Sequence, residues 1–282
     1  MKQGVVIIAF NNGDIDYVKQ AIYCAKRVKQ HLNIEVQLVT DAVDYIQSAF
    51  PFYKKYIDYV TYQPAPLSAD SKIFNDGLYS QKRLPWKNTA RKDIYELSNF
   101  DKTLLIDSDL LLSNNNLLKC FNSKQNFMIA SNYSLIKPYE ESSFNRISDN
   151  SIQMYWATIL YFEKSKEAQT IFELVKHIYD NYSYYRLVYN IAETKFRNDF
   201  AFSIAIHIMR GFVEDSSWPA SIPSEMWVST DKDILLEIDD NIFKFLAHRS
   251  WDYIPVKIKD ATVHVMNKFS LNSFIDKEFA NE

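Results

Sequence analysis

Three Asp-x-Asp triplets, Asp14/Asp16, Asp107/Asp109 and Asp231/Asp233, occur among the 22 aspartates of this 282-residue chain. That is close to what chance supplies, so the triplet alone carries no information. Its surroundings do. Asp107 and Asp109 follow directly on Leu104-Leu105-Ile106, an apolar run of the kind buried in a parallel sheet. Residues i and i+2 of an extended chain project to the same side, so the two carboxylates can converge on one cation. Without a cation, two such charges side by side are costly. Carboxylate oxygens are hard ligands that suit Mg²⁺ or Mn²⁺, and such an ion also bridges the phosphates of a nucleotide. The competing reading is a pair that merely caps the loop after the strand.

The elements around the pair follow from periodicity. Val5 to Phe10 is an apolar run suited to a strand buried on both faces. Asp14 then precedes Ile15, Val18, Ile22, Ala25, Val28 and Leu32 at helical spacing, and Ile34 to Thr40 is a second strand. This βαβ order predicts a parallel sheet whose ligand crevice lies at the carboxyl ends of its strands. Gln63 to Pro85, with its prolines, reads as a loop, followed by a helix with the stripe Trp86, Ala90, Ile94 and Leu97. Thr103 to Ile106 is the strand leading into Asp107. After a polar stretch from Asn132 to Ser151 come a strand over Met154 to Phe162 and a helix burying Ala168, Ile171, Phe172, Val175 and Ile178. A second helix begins near Asn198. Ile234 to Ile238 and Ile242 to Leu246 form a hairpin, and Ala261 to Val265 is the last strand.

Composition removes several function classes. The four glycines, Gly4, Gly13, Gly77 and Gly211, stand at least nine residues apart, which excludes the dinucleotide fingerprint, the phosphate loop and the nucleophile elbow. Cys24 and Cys120 cannot form a Cys-x-x-Cys zinc site, and both fall in apolar stretches where a buried, reduced thiol is expected. The opening apolar run is cut by Asn11-Asn12-Gly13-Asp14 and reads as a strand, not a signal peptide, and no run is long enough to span a membrane. A cytoplasmic location is the expectation. The formal charge of -3 offers no overall attraction to nucleic acid.

The segment Arg91-Lys92-Asp93-Ile94-Tyr95-Glu96-Leu97-Ser98-Asn99-Phe100-Asp101-Lys102-Thr103-Leu104-Leu105-Ile106-Asp107-Ser108-Asp109 resembles the approach to the Asp-x-Asp motif of GT-A glycosyltransferases, above all glycogenin and its bacterial lipopolysaccharide-sugar relatives. The N-terminal strand, the Asn-containing turn and Tyr17-Val18-Lys19-Gln20-Ala21 continue it. The resemblance implies a single α/β domain of GT-A type over 1–282, with a mostly parallel central sheet flanked by helices and a small antiparallel portion toward the C-terminus. Residues 1–112 would form the nucleotide-binding half, and 113–282 the acceptor-binding half with the last metal-ligand strand. It implies a metal-dependent transfer of a sugar from a nucleoside diphosphate donor, a UDP-sugar, to a saccharide or other hydroxyl acceptor, with retention.

The resemblance also assigns residues. Ala9, Phe10, Asn11 and Asn12 surround the base with Tyr17, whose ring can stack on it, and Ser108 lies between the motif aspartates. Arg91 stands where the family has a Lys on the donor diphosphate, and a guanidinium fork suits phosphate oxygens. His264 in Thr262-Val263-His264-Val265 corresponds to a third metal ligand beside Asp107 and Asp109, and an imidazole shifts preference toward Mn²⁺. The other histidines, His31, His177, His207 and His248, read as structural. Asn267 replaces the Gly that follows the family's His, and Lys268, the diphosphate lysine, comes two residues early. The sugar-contacting strand becomes Trp156-Ala157-Thr158 and an Asp-Gln pair becomes Asn198-Asp199. Asp199 would orient sugar hydroxyls or act as base, or else cap its helix.

Two rival activities use the same residues. A haloacid-dehalogenase-like phosphatase also carries Asp-x-Asp after an apolar strand, with Asp239-Asp240 as a later acidic pair, but the usual Gly-Thr is Leu110-Leu111 here. A non-catalytic sugar-nucleotide binder is the other. For the acceptor, Tyr133, Lys137, Tyr139, Phe144 and Arg146 with Lys82, Arg83 and Trp86 mix aromatics and cations, which fits a sugar ring and, second to it given the net charge, a modified DNA base.

Overall fold

The computed structural model describes residues 1–66, 70–87, 89–137, 146–148, 151–214, 217–280 and 282. A seven-stranded sheet runs in the order Ala220–Ser221, Phe127–Ala130, Trp156–Glu163, Lys102–Asp107, Gln3–Ile8, Glu35–Thr40, Tyr59–Tyr62. All pairings are parallel except those of Trp156–Glu163, which is antiparallel to both neighbours. The α/β class expected from the βαβ order is therefore the observed one. Alternation along each strand feeds two cores. Val5, Ile7, Leu104 and Ile106 face the helix Tyr17–His31, while Val6, Leu105, Leu160 and Phe162 face the helices Lys166–Asp180 and Asn198–Met209. In Lys166–Asp180 the buried residues are the five that the periodicity selects, Ala168, Ile171, Phe172, Val175 and Ile178. Gly4 sits where the Phe100 ring crosses its strand, and a Cβ there would collide with that ring.

A second, four-stranded sheet orders Leu110–Leu112, Thr262–His264, Met226–Val228 and Ser134–Leu135. Beside it, Ile234–Asp239, Ile242–Arg249 and Asp252–Lys259 form an antiparallel meander, which extends the expected hairpin by one strand. The chain closes with a helix, Lys268–Phe279, N-capped by Asn267, whose polar sequence carries no clear period.

Two expectations are corrected. Gln63 to Pro85 is not a plain loop: Ser71–Asp76 and Ser80–Pro85 pair as an antiparallel hairpin around Gly77, whose φ of 71° is the left-handed conformation the turn requires. The helix expected over Trp86 to Leu97 is instead a 3₁₀ turn, Ala90–Asp93, and one α turn, Ile94–Leu97. Trp86 packs on Phe74 of the hairpin at 6.4 Å between ring centroids, a tertiary contact that takes it out of the helical stripe.

Candidate active site

The chain leaves the central sheet at Asp107 and enters the second sheet at Leu110, so the Asp107-Ser108-Asp109 turn joins the two sheets. Cys24 on the first helix supports it from below, its Sγ 3.0 Å from the Leu110 carbonyl oxygen. Leu110–Leu112 pairs antiparallel with Thr262–His264 in a register that sets His264 opposite Leu110, and the Val265 amide donates to the Asp109 carbonyl at 3.0 Å. That pairing brings His264 to the two carboxylates. Its Nε2 stands 3.1 Å from Asp109 Oδ1 and 3.8 Å from Asp107 Oδ2. Among the described residues this is the one group of three potential metal ligands, with ligand atoms within 4.8 Å of one another.

The donor set fits a divalent ion. Adjacent ligands of a six-coordinate Mg²⁺- or Mn²⁺-sized ion, each about 2.1 Å from it, lie about 3 Å apart, near the His264–Asp109 spacing. Asp109 Oδ1 is buried with no hydrogen bond of good geometry. Burial holds the His264 imidazole below its ordinary value, Lys268 and Arg91 act in the same direction, and Asp109 opposes them. The shift favours the neutral imidazole, which is the form that ligates a metal.

Two cations complete the cluster. Arg91, 5% exposed on its 3₁₀ turn, places its guanidinium on Asp107, and Asp199 and Asp109 attract it. Lys268, in the first turn of the last helix, pairs with Asp109 and donates to the Val265 carbonyl at 2.7 Å. Burial raises the Asp109 carboxyl, but the Lys268 ammonium and the His264 ring outweigh it and hold the group well below the usual carboxylate range.

Asp199 does not cap its helix, whose N-cap is Arg197. Its Oδ1 accepts from the Ala157 amide at 2.9 Å and its Oδ2 from Arg197 Nη2 at 2.9 Å, which ties the helix to the strand carrying Trp156-Ala157-Thr158. The residues that the resemblance assigns to the nucleotide gather around the turn after the first strand. Ala9 and Phe10 are buried, and the Ala9 amide donates to the Val39 carbonyl at 3.0 Å. Asn11 Oδ1 accepts from the Val18 amide at 3.0 Å and Asn12 Oδ1 from the Ile15 amide at 3.3 Å, so both side chains shape the turn. Tyr17 packs against Ile15, Phe74 and Leu84, and burial and the Asp109 charge raise its phenol. Ser108 is buried between the two aspartates.

Asp239 pairs with Lys244 in the meander, and neither it nor Asp240 joins the cluster. His177, His207 and His248 lie beside Asn181, Tyr189 and Ser250. Cys24 and Cys120 are free and buried. Tyr139 and Phe144 lie outside the described residues, while Tyr133 meets Trp156 at 4.6 Å between centroids. The sequence reading does not single out Arg197, which pairs with Asp199 at 2.9 Å, or Lys72, on the hairpin that packs over Tyr17. The turn signal Asn75-Asp76-Gly77 would have exposed the hairpin that carries Lys72.

No family model matches the sequence, and no curated protein matches it. Among solved structures, the chain is similar to the apo form of the glycosyltransferase GlyE of Streptococcus pneumoniae TIGR4, at 14% identity and a TM-score of 0.45 over 78% of this chain. It spans 45% of the GlyE chain. It is also similar to the galactosyltransferase LgtC in complex with donor and acceptor sugar analogues, at 14% identity and a TM-score of 0.44 over 71% of this chain and 69% of that one. For the bifunctional IspDF of Campylobacter jejuni the values are 12% and 0.37, over 72% of this chain and 47% of that one.

Proposed function

We propose that this chain is a glycosyltransferase of GT-A type that takes a sugar from a nucleoside diphosphate, a UDP-sugar first among candidates, and passes it to a saccharide or other hydroxyl acceptor with retention. The observation that carries the reading is the convergence of Asp107, Asp109 and His264 at the carboxyl end of the central strand, between the cations of Arg91 and Lys268. Asp107, Asp109 and His264 would hold Mn²⁺ or Mg²⁺, which when bound supplies positive charge to a departing diphosphate.

Residues of the chain do the rest. Arg91 and Lys268 add fixed, desolvated positive charge where the leaving group's negative charge grows, and such charge acts strongly in a dry site. The turn from Ala9 to Asn12 with Tyr17 forms the nucleoside side of the crevice. Asp199, held by Ala157 and Arg197, faces the sugar and orients its hydroxyls. The first half of the chain, 1–112, serves the nucleotide and 113–282 the acceptor, within one domain.

Asp239-Asp240 stands apart from the acid cluster, which supports this reading over a phosphatase. No helix among the described residues is long and apolar enough to cross a membrane. A panel of nucleotide sugars incubated with Mn²⁺, read by nucleoside diphosphate release, tests the proposal. Release from one donor, lost in excess EDTA and restored by Mn²⁺, is expected. Release from none of the donors, or undiminished release in EDTA, would overturn it.

A further inference from the structure

The hairpin Ser71–Asp76/Ser80–Pro85 carries a lysine on its inward face. In its register Lys72 lies opposite Leu84 and Phe74 opposite Lys82, so these side chains share one face. Phe74 and Leu84 on that face are buried with Ile15, and Tyr17 and Trp86 pack against them. The Lys72 ammonium follows them inward and stands 5.1 Å from the Trp86 ring centroid and 5.5 Å from that of Phe74. No carboxylate among the described residues pairs with it.

Its electrostatic surroundings are those of the active site. Burial holds the ammonium below its ordinary value, Lys268 and Arg197 push it the same way, and Asp231 and Asp109 oppose them. The other cations each have a carboxylate: Arg91 has Asp107, Lys268 has Asp109 and Arg197 has Asp199. Asp231 accepts instead from Asn75 at 2.7 Å. Lys72 is therefore the one of these four cations without an ion pair of its own among the described residues, desolvated and beside like charges, an arrangement that favours an incoming anion. The hairpin is anchored on both sides of the crevice. Asn12 donates to the Pro85 carbonyl at 3.3 Å and Lys82 pairs with Asp14 at 2.8 Å, while Asn267 reaches Asp76 at 3.5 Å and the Leu78 amide donates to Tyr253 Oη at 3.1 Å. It thus links the nucleoside side to the cluster side.

We propose that Lys72 binds the donor diphosphate as a third cation with Arg91 and Lys268, which makes the hairpin part of the nucleotide site. The inference rests on the glycosyltransferase reading, and calorimetric titration of UDP, GDP and ADP with Mn²⁺ into the parent protein, Lys72→Met and Lys72→Arg separates the two. The expected result is a loss of about tenfold or more in nucleoside diphosphate affinity for Lys72→Met, with a thermal midpoint at or above the parent's, because an ammonium with no acceptor has given way to an apolar chain of similar length. Lys72→Arg should keep most of the affinity. Parent-like affinity in Lys72→Met overturns the role of Lys72 and leaves the glycosyltransferase reading standing. Equal losses in both variants with lowered midpoints mark a packing role and also overturn it. A parent protein that binds none of the three nucleotides overturns both.

Discussion

Asp109 and Lys268 offer a quantitative test of how the cluster is held together. Both side chains are 7% exposed, and the pair joins the turn between the two sheets to the first turn of the last helix. Removing one partner of a buried pair leaves an uncompensated charge and costs about 3–5 kcal/mol. Asp109→Asn retains one acceptor oxygen for the ammonium, so the lower end applies, about 3 kcal/mol in metal-free buffer. At roughly 2–4 °C per kcal/mol for a chain of this size, the midpoint should fall by about 6–12 °C. Lys268→Met removes the cation and keeps an apolar stem, yet it leaves Asp109 buried with only His264 beside it, and should cost a similar amount. The double variant Asp109→Asn/Lys268→Met has no buried charge left over at this contact, so its loss should be well below the sum, with a coupling energy of about 2 kcal/mol or more. Urea titrations of the four proteins in EDTA supply the cycle. Single losses under about 1 kcal/mol, or strict additivity, would refute the argument and mean that water, not Lys268, satisfies Asp109.

Other predictions concern neighbouring features. Arg91→Ala should weaken UDP-sugar binding by about 1.5–3 kcal/mol, the size of a charge-assisted hydrogen bond, whereas Lys87→Ala, which removes a 2.8 Å bond to the Asn11 carbonyl, should cost less. Equal effects in calorimetry would contradict the placement of Arg91. Gly4→Ala should destabilise by about 1–3 kcal/mol through overpacking against Phe100, and an unchanged urea midpoint would count against that contact. Burial raises the Cys24 thiol and pushes that of Cys120 up to about 12. At pH 8 both should therefore react with a disulfide reagent only after denaturation, and rapid labelling of the native protein would show that the core around them opens.

Local pattern makes some of this protein legible in its sequence. The helix Lys166–Asp180 buries the stripe its period dictates, because an amphipathic helix needs no distant information to choose its inward face. Asp107 and Asp109 stand out because a buried apolar strand ends in them, but their carboxylates are brought together by the turn between the two sheets, not by the extended i, i+2 geometry the sequence suggests. Elements on edges are harder to read. Most of Ser80–Pro85 is exposed, so it shows no alternation, and Asp252–Lys259 contains Pro255 and buries little. What only the tertiary structure decides is which distant residues meet. His264 lies more than 150 residues from Asp109 and reaches it through one strand register, Leu110 opposite His264. Arg91 reaches Asp107 from the 3₁₀ turn Ala90–Asp93, where the apolar period suggests a continuous helix. Lys72 comes to lie beside Trp86 and Phe74 only because its hairpin folds inward over Tyr17. Periodicity records which way a side chain faces within its own element, while the pairing of elements far apart in the chain is set by the packing of the whole molecule.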